Sequence, residues 1–470
     1  MDGTWGAFRR DDPPAPTGVG VTDPGVDHRL MHRSVGSLVR RIFGNLAWLA
    51  GGKATAGLIS LGYLLITTRA LGPRDYGVLV LVHAYVLTIN SLFTLQVWQA
   101  VVHFGFRLLH ENRQEQLVQL LRFTTVIEIA VGALGFAVAA SGAVFFGRQL
   151  GWSQQAIELA VPYSIAVLAG IRATPAGLLQ LVSRFDLLGW HHAIQPATRM
   201  IGALVVYALD AGLRGFLIAW LIAEVVECVT MWTFGLWVAR RELPGIRLRG
   251  VLVDVRGEHD GLGRYILVSQ GDVVFTSLAP RMVPLVVGGM LGPAAAGLYS
   301  IAQRAAVAIA ELGQLLGRAA FTEFARLFTV APSDEHLHPT LWRTVGVAVA
   351  AILPVIALIG FFAESIAVFL GGIEFAAAAP LMVWFALARL IMVVTTMTGT
   401  ALVAAGRPGL SIAGNALAMA LSLPILPWLL ERWGIVATGP HSLAMAVVNA
   451  AVLATVLRFA TRRSGAASGH

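Results

Sequence analysis

Apolar runs of about 20 residues recur from one end of this chain to the other, and that recurrence constrains the fold more than any other feature. A helix needs about that length to cross ~30 Å of hydrocarbon. The runs are read at 45–68, 77–101, 123–146, 157–182, 193–209, 215–238, 265–289, 296–320, 344–370, 378–402, 410–430 and 441–459. A transmembrane barrel would show short alternating segments instead. Of the 470 residues 57% are hydrophobic and 13% charged, whereas a soluble domain carries about 25% charge. The expected fold is therefore all-α and polytopic, with about twelve transmembrane helices.

Basic residues orient the spans. Loops on one face hold runs such as Arg40-Arg41, Arg240-Arg241, Arg247 to Arg249 and Arg462-Arg463. Loops on the other face hold only Arg69, Arg74, Arg148, Arg214 and Arg432. The positive-inside rule then places both termini in the cytoplasm of a bacterial inner membrane protein. Tryptophans near span ends, among them Trp48, Trp152, Trp190, Trp237, Trp342 and Trp428, suit an interfacial belt. Residues 1–40 are polar, rich in Pro, Gly, Asp and Arg, and are expected to be a disordered cytoplasmic segment. No cleavable signal peptide is read, and Met31 is a candidate true start. A formal charge of +8 is a topology statement in such a chain, not a nucleic-acid footprint. The single cysteine, Cys228, excludes an internal disulfide and a cysteine-held metal.

The two halves of the chain resemble each other. Leu71-Gly72-Pro73-Arg74-Asp75-Tyr76-Gly77 joins the first two spans, and Leu291-Gly292-Pro293-Ala294-Ala295-Ala296-Gly297 joins the seventh and eighth. Gly can end one helix and Pro can start the next, so each motif is a helix-to-helix turn. Its recurrence in the same place in each half predicts a parallel duplication, with a binding site where the repeats meet. The expected organisation is a six-helix lobe at 41–238, a cytoplasmic linker at 239–264, a second six-helix lobe at 265–460 and a cytoplasmic tail at 461–470.

The stretch from Asn45 through Trp48, with Arg69, Leu71-Gly72-Pro73 and Tyr76-Gly77, resembles the N-terminus of polysaccharide-type (Wzx-like oligosaccharide) flippases. These belong to the multidrug/oligosaccharidyl-lipid/polysaccharide exporter superfamily. The second copy of the turn carries Ala296 in place of the tyrosine and has no arginine at the Arg69 position. The resemblance implies a V-shaped pair of lobes that alternate access. It implies a cargo of undecaprenyl-diphosphate-linked oligosaccharide for surface polysaccharide synthesis. It also implies membrane lipid as a partner and a polysaccharide polymerase and export machinery as candidate partners. No cofactor is implied, and the working unit is expected to be a monomer.

Charges at membrane depth carry the chemistry. The bases are Lys53, Arg172, Arg199, Arg281, Arg304, Arg318 and Arg389, and the acids Glu128, Glu224, Glu227, Asp272 and Glu311. Each costs on the order of 2.5–3.5 kcal/mol at mid-bilayer unless it pairs, snorkels or faces a watery cavity. Guanidinium and ammonium groups can replace the hydration of a diphosphate, so Lys53, Arg172, Arg281, Arg304, Arg318 and Arg389 are the candidate substrate-binding residues. Arg304, Glu311 and Arg318 are spaced by sevens and form one helical stripe. Asp272, Glu311, Glu224 and Glu227 are candidates for coupling transport to a cation, with Glu224 and Glu227 equally suited to a structural pair with Arg199. Arg199 is read as an anchor that snorkels to the cytoplasmic face, and His191-His192 as a solvated loop. Asp272 is a candidate partner for Lys53.

No P-loop, HExxH or GxSxG pattern is present, so the chain is read as a transporter and not an enzyme, with no metal site. A membrane polymerase or glycosyltransferase would more often carry a large outer loop or a catalytic acid cluster. The main rival is a multidrug or small-molecule antiporter of the same superfamily, which would build a cation site on acids.

Overall fold

The computed structural model describes residues 28–148, 152–242, 261–304, 306–307, 309, 334–404 and 408–467. It divides into two units, Met1–Ala47 and Trp48–His470. Of the first, the described part is helical from His28.

Among the described residues there is helix and no strand. The helices are α1 (His28–Phe93), α2 (Val97–His110), α3 (Gln114–Phe146), α4 (Gln154–Tyr163), α5 (Ala173–Leu181), α6 (Phe185–Ala208) and α7 (Gly212–Glu242). They continue as α8 (Leu262–Leu291), α9 (293–304), α10 (Asp334–Gly371), α11 (Ala379–Ala404), α12 (Pro408–Ser422), α13 (Ile425–Trp433) and α14 (Thr438–Ala467). Among the described residues seven stretches are long and apolar enough to cross a membrane. Two of these exceed one crossing. Gly51–His110 has 60 residues, which at 1.5 Å per residue would be about three times the hydrocarbon thickness if straight. It turns at Gly72 and again at residues 94–96. Ile412–Leu457, with 46 residues, breaks after Ser422 and at Gly434. Part of the expected eighth crossing and the 243–260 linker lie outside the described residues.

Both repeated turns adopt the same backbone conformation. Gly72 has φ 65° and ψ 177°, and Gly292 has φ 87° and ψ 169°. This region is essentially closed to residues with a Cβ, which is why glycine stands at both. The two turns also pack on each other reciprocally. A Cβ on Gly77 would overlap the Pro293 carbonyl oxygen, and one on Gly297 would press on the Pro73 carbonyl oxygen.

From this glycine–proline end a seam runs between the halves. Thr68 Oγ1 donates to the Leu370 carbonyl at 2.7 Å. The buried Tyr76 ring meets Phe375 edge-on, and its hydroxyl lies 3.3 Å from Ser300 Oγ. Further along, Arg281 Nη1 donates to the Leu87 carbonyl at 2.8 Å, while Thr88 Oγ1 donates to the Arg281 carbonyl. Gln270 Nε2 donates to the Ser91 carbonyl at 3.0 Å. The His103 and Tyr265 rings stack at 5.0 Å where α2 meets α8. The second crossing and α8 are thus tied along their length. By contrast, residues 51–61 of α1 are mostly exposed, with Leu58 at 73%.

Within each half, helices bury their apolar faces on other helices of the same half, both sequence neighbours and more distant ones. In the N-terminal half α6 packs on α7 and α2 on α5, and in the C-terminal half α11 packs on α10 and α14. A single apolar core, including Leu79, Phe216, Tyr299 and Phe375, passes through both halves.

Candidate functional site

The expected fourth span, 157–182, is broken. α4 gives way to a 3-10 helix, Ser164–Gly170, and a new helix, α5, starts at Ala173 after Arg172 leaves helical geometry (φ −151°, ψ 5°). A break inside hydrocarbon strands backbone groups that water cannot reach. Here three of those groups find a side chain. Glu128 on α3 accepts from the Ala173 and Thr174 backbone N–H groups at 2.6 and 3.0 Å and from Thr174 Oγ1 at 2.8 Å. On the other side of the break, the Ile171 carbonyl accepts from Trp232 Nε1 at 2.7 Å. Glu128 is thus the cap of α5, with the added attraction of a carboxylate for a helix N-terminus. Glu128→Gln should remove one acceptor and aim an N–H at donors. The expected loss is roughly 1–3 kcal/mol, read as a lower midpoint in thermal unfolding of the detergent-solubilised protein.

Beside the break lies a knot of buried charge. Arg172 pairs with Glu227, and its Nη1 stands 3.9 Å from Glu224. Arg199, 5% exposed, donates to Glu224 at 2.9 Å, and Gln195 donates to the same carboxylate. The Arg199 guanidinium lies flat over Trp220, 4.2 Å from the ring centre, and its Nη2 is 3.3 Å from His83 Nε2. Arginine can only donate, so His83 Nε2 accepts, and its Nδ1–H donates to the Tyr163 hydroxyl at 2.8 Å. His191, on α6, is also buried, with Nε2 3.2 Å from the Glu227 carbonyl. The acids and arginines of this knot thus pair with one another, while Arg199 Nε is buried without a hydrogen-bond partner. Arg199 is a buried partner of Glu224 and not a snorkelling anchor, and His191 sits on a helix and not in a solvated loop.

The other predicted cations stand elsewhere. Arg281 and Arg304 lie at the seam between halves. Arg304 reaches Tyr63 on α1 and lies within electrostatic range of Tyr76 and Arg199. Among the described residues neither Arg281 nor Arg304 has a carboxylate partner. Arg389, on α11, lines a cavity inside the C-terminal half. Lys53 is on the exposed stretch of α1, in electrostatic reach of His192 on α6. The side chain of Asp272, and residues Glu311 and Arg318, fall outside the described set. Of the six predicted cations, Arg172 therefore stands in the N-terminal knot, Arg281 and Arg304 at the seam, Arg389 at the C-terminal cavity and Lys53 on the exposed stretch of α1, while Arg318 lies outside the described residues. His83, Tyr63 and Tyr163 were missed. A histidine in the middle of an apolar run was the available signal for the first.

Outside the spans, Arg184 grips Asp186 with two hydrogen bonds of 2.9 and 2.8 Å and covers the Trp237 ring. Those bonds, more than charge alone, hold the Asp186 carboxyl below its usual range.

Comparison with known proteins agrees with this architecture. Residues 66–380 match a family described as polysaccharide biosynthesis protein. The inner membrane protein YghQ of Escherichia coli is 30% identical over 295 residues, covering 61% of this chain and 81% of that protein. Among solved structures, an inward-facing multidrug resistance MATE family transporter of the MOP superfamily superposes with a TM-score of 0.63 at 16% identity, over 90% of this chain and 98% of its own. The lipid II flippase MurJ in an inward closed conformation superposes with a TM-score of 0.66 at 11% identity, over 88% and 87%. These neighbours are transporters and flippases, not enzymes, and the shared fold is that of the superfamily expected from the glycine–proline motif.

Proposed function

The chain belongs to the polysaccharide biosynthesis protein family, and we propose that it is a flippase for an undecaprenyl-diphosphate-linked oligosaccharide. It moves this cargo from the cytoplasmic to the periplasmic leaflet of the inner membrane by alternating access, and it supplies surface polysaccharide synthesis. The observation that carries this reading is Arg281 and Arg304 at the seam, two guanidinium groups at membrane depth without a carboxylate partner among the described residues. A diphosphate that leaves water needs donors and positive charge in place of its hydration, and guanidinium offers both in bidentate form. Lys53, on the exposed part of α1, adds a third cation near the cytoplasmic end.

With both termini in the cytoplasm, the glycine–proline end faces the periplasm. The described state is then shut to the outside. The Arg281–Leu87 contact gives loading a consequence. A diphosphate that draws Arg281 away from the Leu87 carbonyl removes one tie between the halves. The N-terminal knot, with Arg172, Glu224 and Glu227, keeps the first half rigid while the seam opens. The protein works as a monomer and passes its cargo to a polymerase and export machinery.

The test is binding of a water-soluble short-prenyl diphosphate disaccharide. Arg304→Gln and Arg281→Gln should each weaken it about tenfold, or 1.4 kcal/mol. Unchanged affinity in both variants would remove the seam from the substrate path.

A further inference from the structure

Helices α8 and α9 each present two faces. Arg281 and Arg304 turn to the N-terminal half. The residues just before them, Pro280 and Gln303, line a cavity of about 100 Å³ whose described lining comes from the C-terminal half. Its polar lining comes from Tyr299 and Gln303 on α9, Arg389 on α11, and His441, Ser442 and Asn449 on α14. Arg389 is the charged residue among them, and among the described residues no carboxylate lines the space.

Two donors there have capacity to spare, the Arg389 guanidinium and the Tyr299 hydroxyl. Among the described residues Arg389 has no ion pair, and Nη1 has only the Met392 sulfur, a weak acceptor, at 3.8 Å. Gln303 Nε2 donates to the Tyr299 hydroxyl, which leaves the phenolic proton free to donate elsewhere. His441 uses Nε2 on the Ser422 carbonyl at 2.9 Å. The Asn449 amide oxygen is buried without a partner. A guanidinium in an apolar, low-dielectric space requires a counter-charge or escape to water, and among the described residues the lining offers Arg389 no acid. A water molecule takes about 30 Å³ of liquid volume. The cavity therefore has room for a small ion together with water.

We propose that this cavity is a binding site for a small monovalent inorganic anion of chloride size, held by Arg389 and by donors from α9 and α14. The ion would join α9, α11 and α14 at their centre, apart from the seam that takes the lipid-linked cargo. Occupancy would then set the stability of the C-terminal half, whatever the cargo is.

The experiment is thermal unfolding of the whole protein in detergent, followed by tryptophan fluorescence, as sodium gluconate is replaced by sodium chloride at constant ionic strength. Wild type should gain several degrees in a saturable way, as expected when a ligand binds only the folded state. Arg389→Gln should abolish the dependence, and Asn449→Leu should raise the half-saturating chloride at least roughly threefold. A wild-type midpoint that ignores chloride, or the same dependence in both variants, overturns the proposal. Should Arg389→Gln fail to fold, wild-type crystals grown in bromide decide the matter. An anomalous peak beside Arg389 supports the site, and its absence there refutes it.

Discussion

Gly77→Leu is expected to force the two glycine–proline turns apart and to cut transport by at least roughly tenfold in a protein that still folds. The reason is local. A Cβ at Gly77 meets the carbonyl oxygen of Pro293, which is backbone and cannot swing away. Overpacking costs typically about 1–3 kcal/mol, and more where nothing can yield. A bias of about 2 kcal/mol against the closed seam changes the ratio of two states about 30-fold. Gly297→Leu should act alike, since its Cβ presses on the opposite turn at Pro73. Gly360→Leu is the control, because nothing lies within 4 Å of its would-be Cβ. Spin labels at Asp75→Cys and Ala294→Cys, in a Cys228→Ala background, report the separation directly. Longer distances in the Gly77 and Gly297 variants are expected. Distances and transport equal to the parent would show that the turns do not gate.

Arg199→Met is expected to be the most destabilising single change in the N-terminal knot. It removes a guanidinium that donates to Glu224 and covers Trp220, and it leaves a buried carboxylate with Gln195 and a more distant Arg172. Breaking a buried pair from one side costs about 3–5 kcal/mol, and the remaining partners bring this toward the lower figure. Replacing both members is much milder, because no uncompensated charge remains. Arg199→Met with Glu224→Leu should therefore recover most of the loss. A double-mutant cycle on thermal or denaturant unfolding measures it, and additive effects would mean the pair does not interact.

What was legible in the sequence was whatever is local. Gly72 and Gly292 announced two equivalent turns because their conformation excludes other residues, and both have it. The apolar runs announced helices for the same reason, since backbone groups in lipid must pair within their own segment. What depends on a distant partner was hidden. The break at Ile171–Arg172 leaves the hydropathy of 157–182 undisturbed, because its compensation comes from Glu128 on another helix. Gly77 and Gly297 were visible as letters of a motif, but their purpose is each other's turn. Arg199 near a span end looked like a snorkelling anchor until the packing of α6 on α7 put Glu224 beside it. Similar depth made Arg172, Arg281, Arg304 and Arg389 look like one group. Depth along a helix is readable from spacing, while the face each residue presents depends on how neighbouring helices cross. His191 was assigned to a loop because two adjacent histidines are polar, yet it is buried against the Glu227 carbonyl.

The most direct measurement is transbilayer movement in liposomes. The purified protein would be reconstituted with a fluorescent undecaprenyl-diphosphate oligosaccharide, and the accessibility of the label to an impermeant quencher followed in time. The account predicts protein-dependent exchange that Arg304→Gln and Gly77→Leu suppress. Absence of exchange for lipid-linked sugars, with or without an ion gradient, together with gradient-driven efflux of small organic cations, would contradict it and identify a small-molecule antiporter instead.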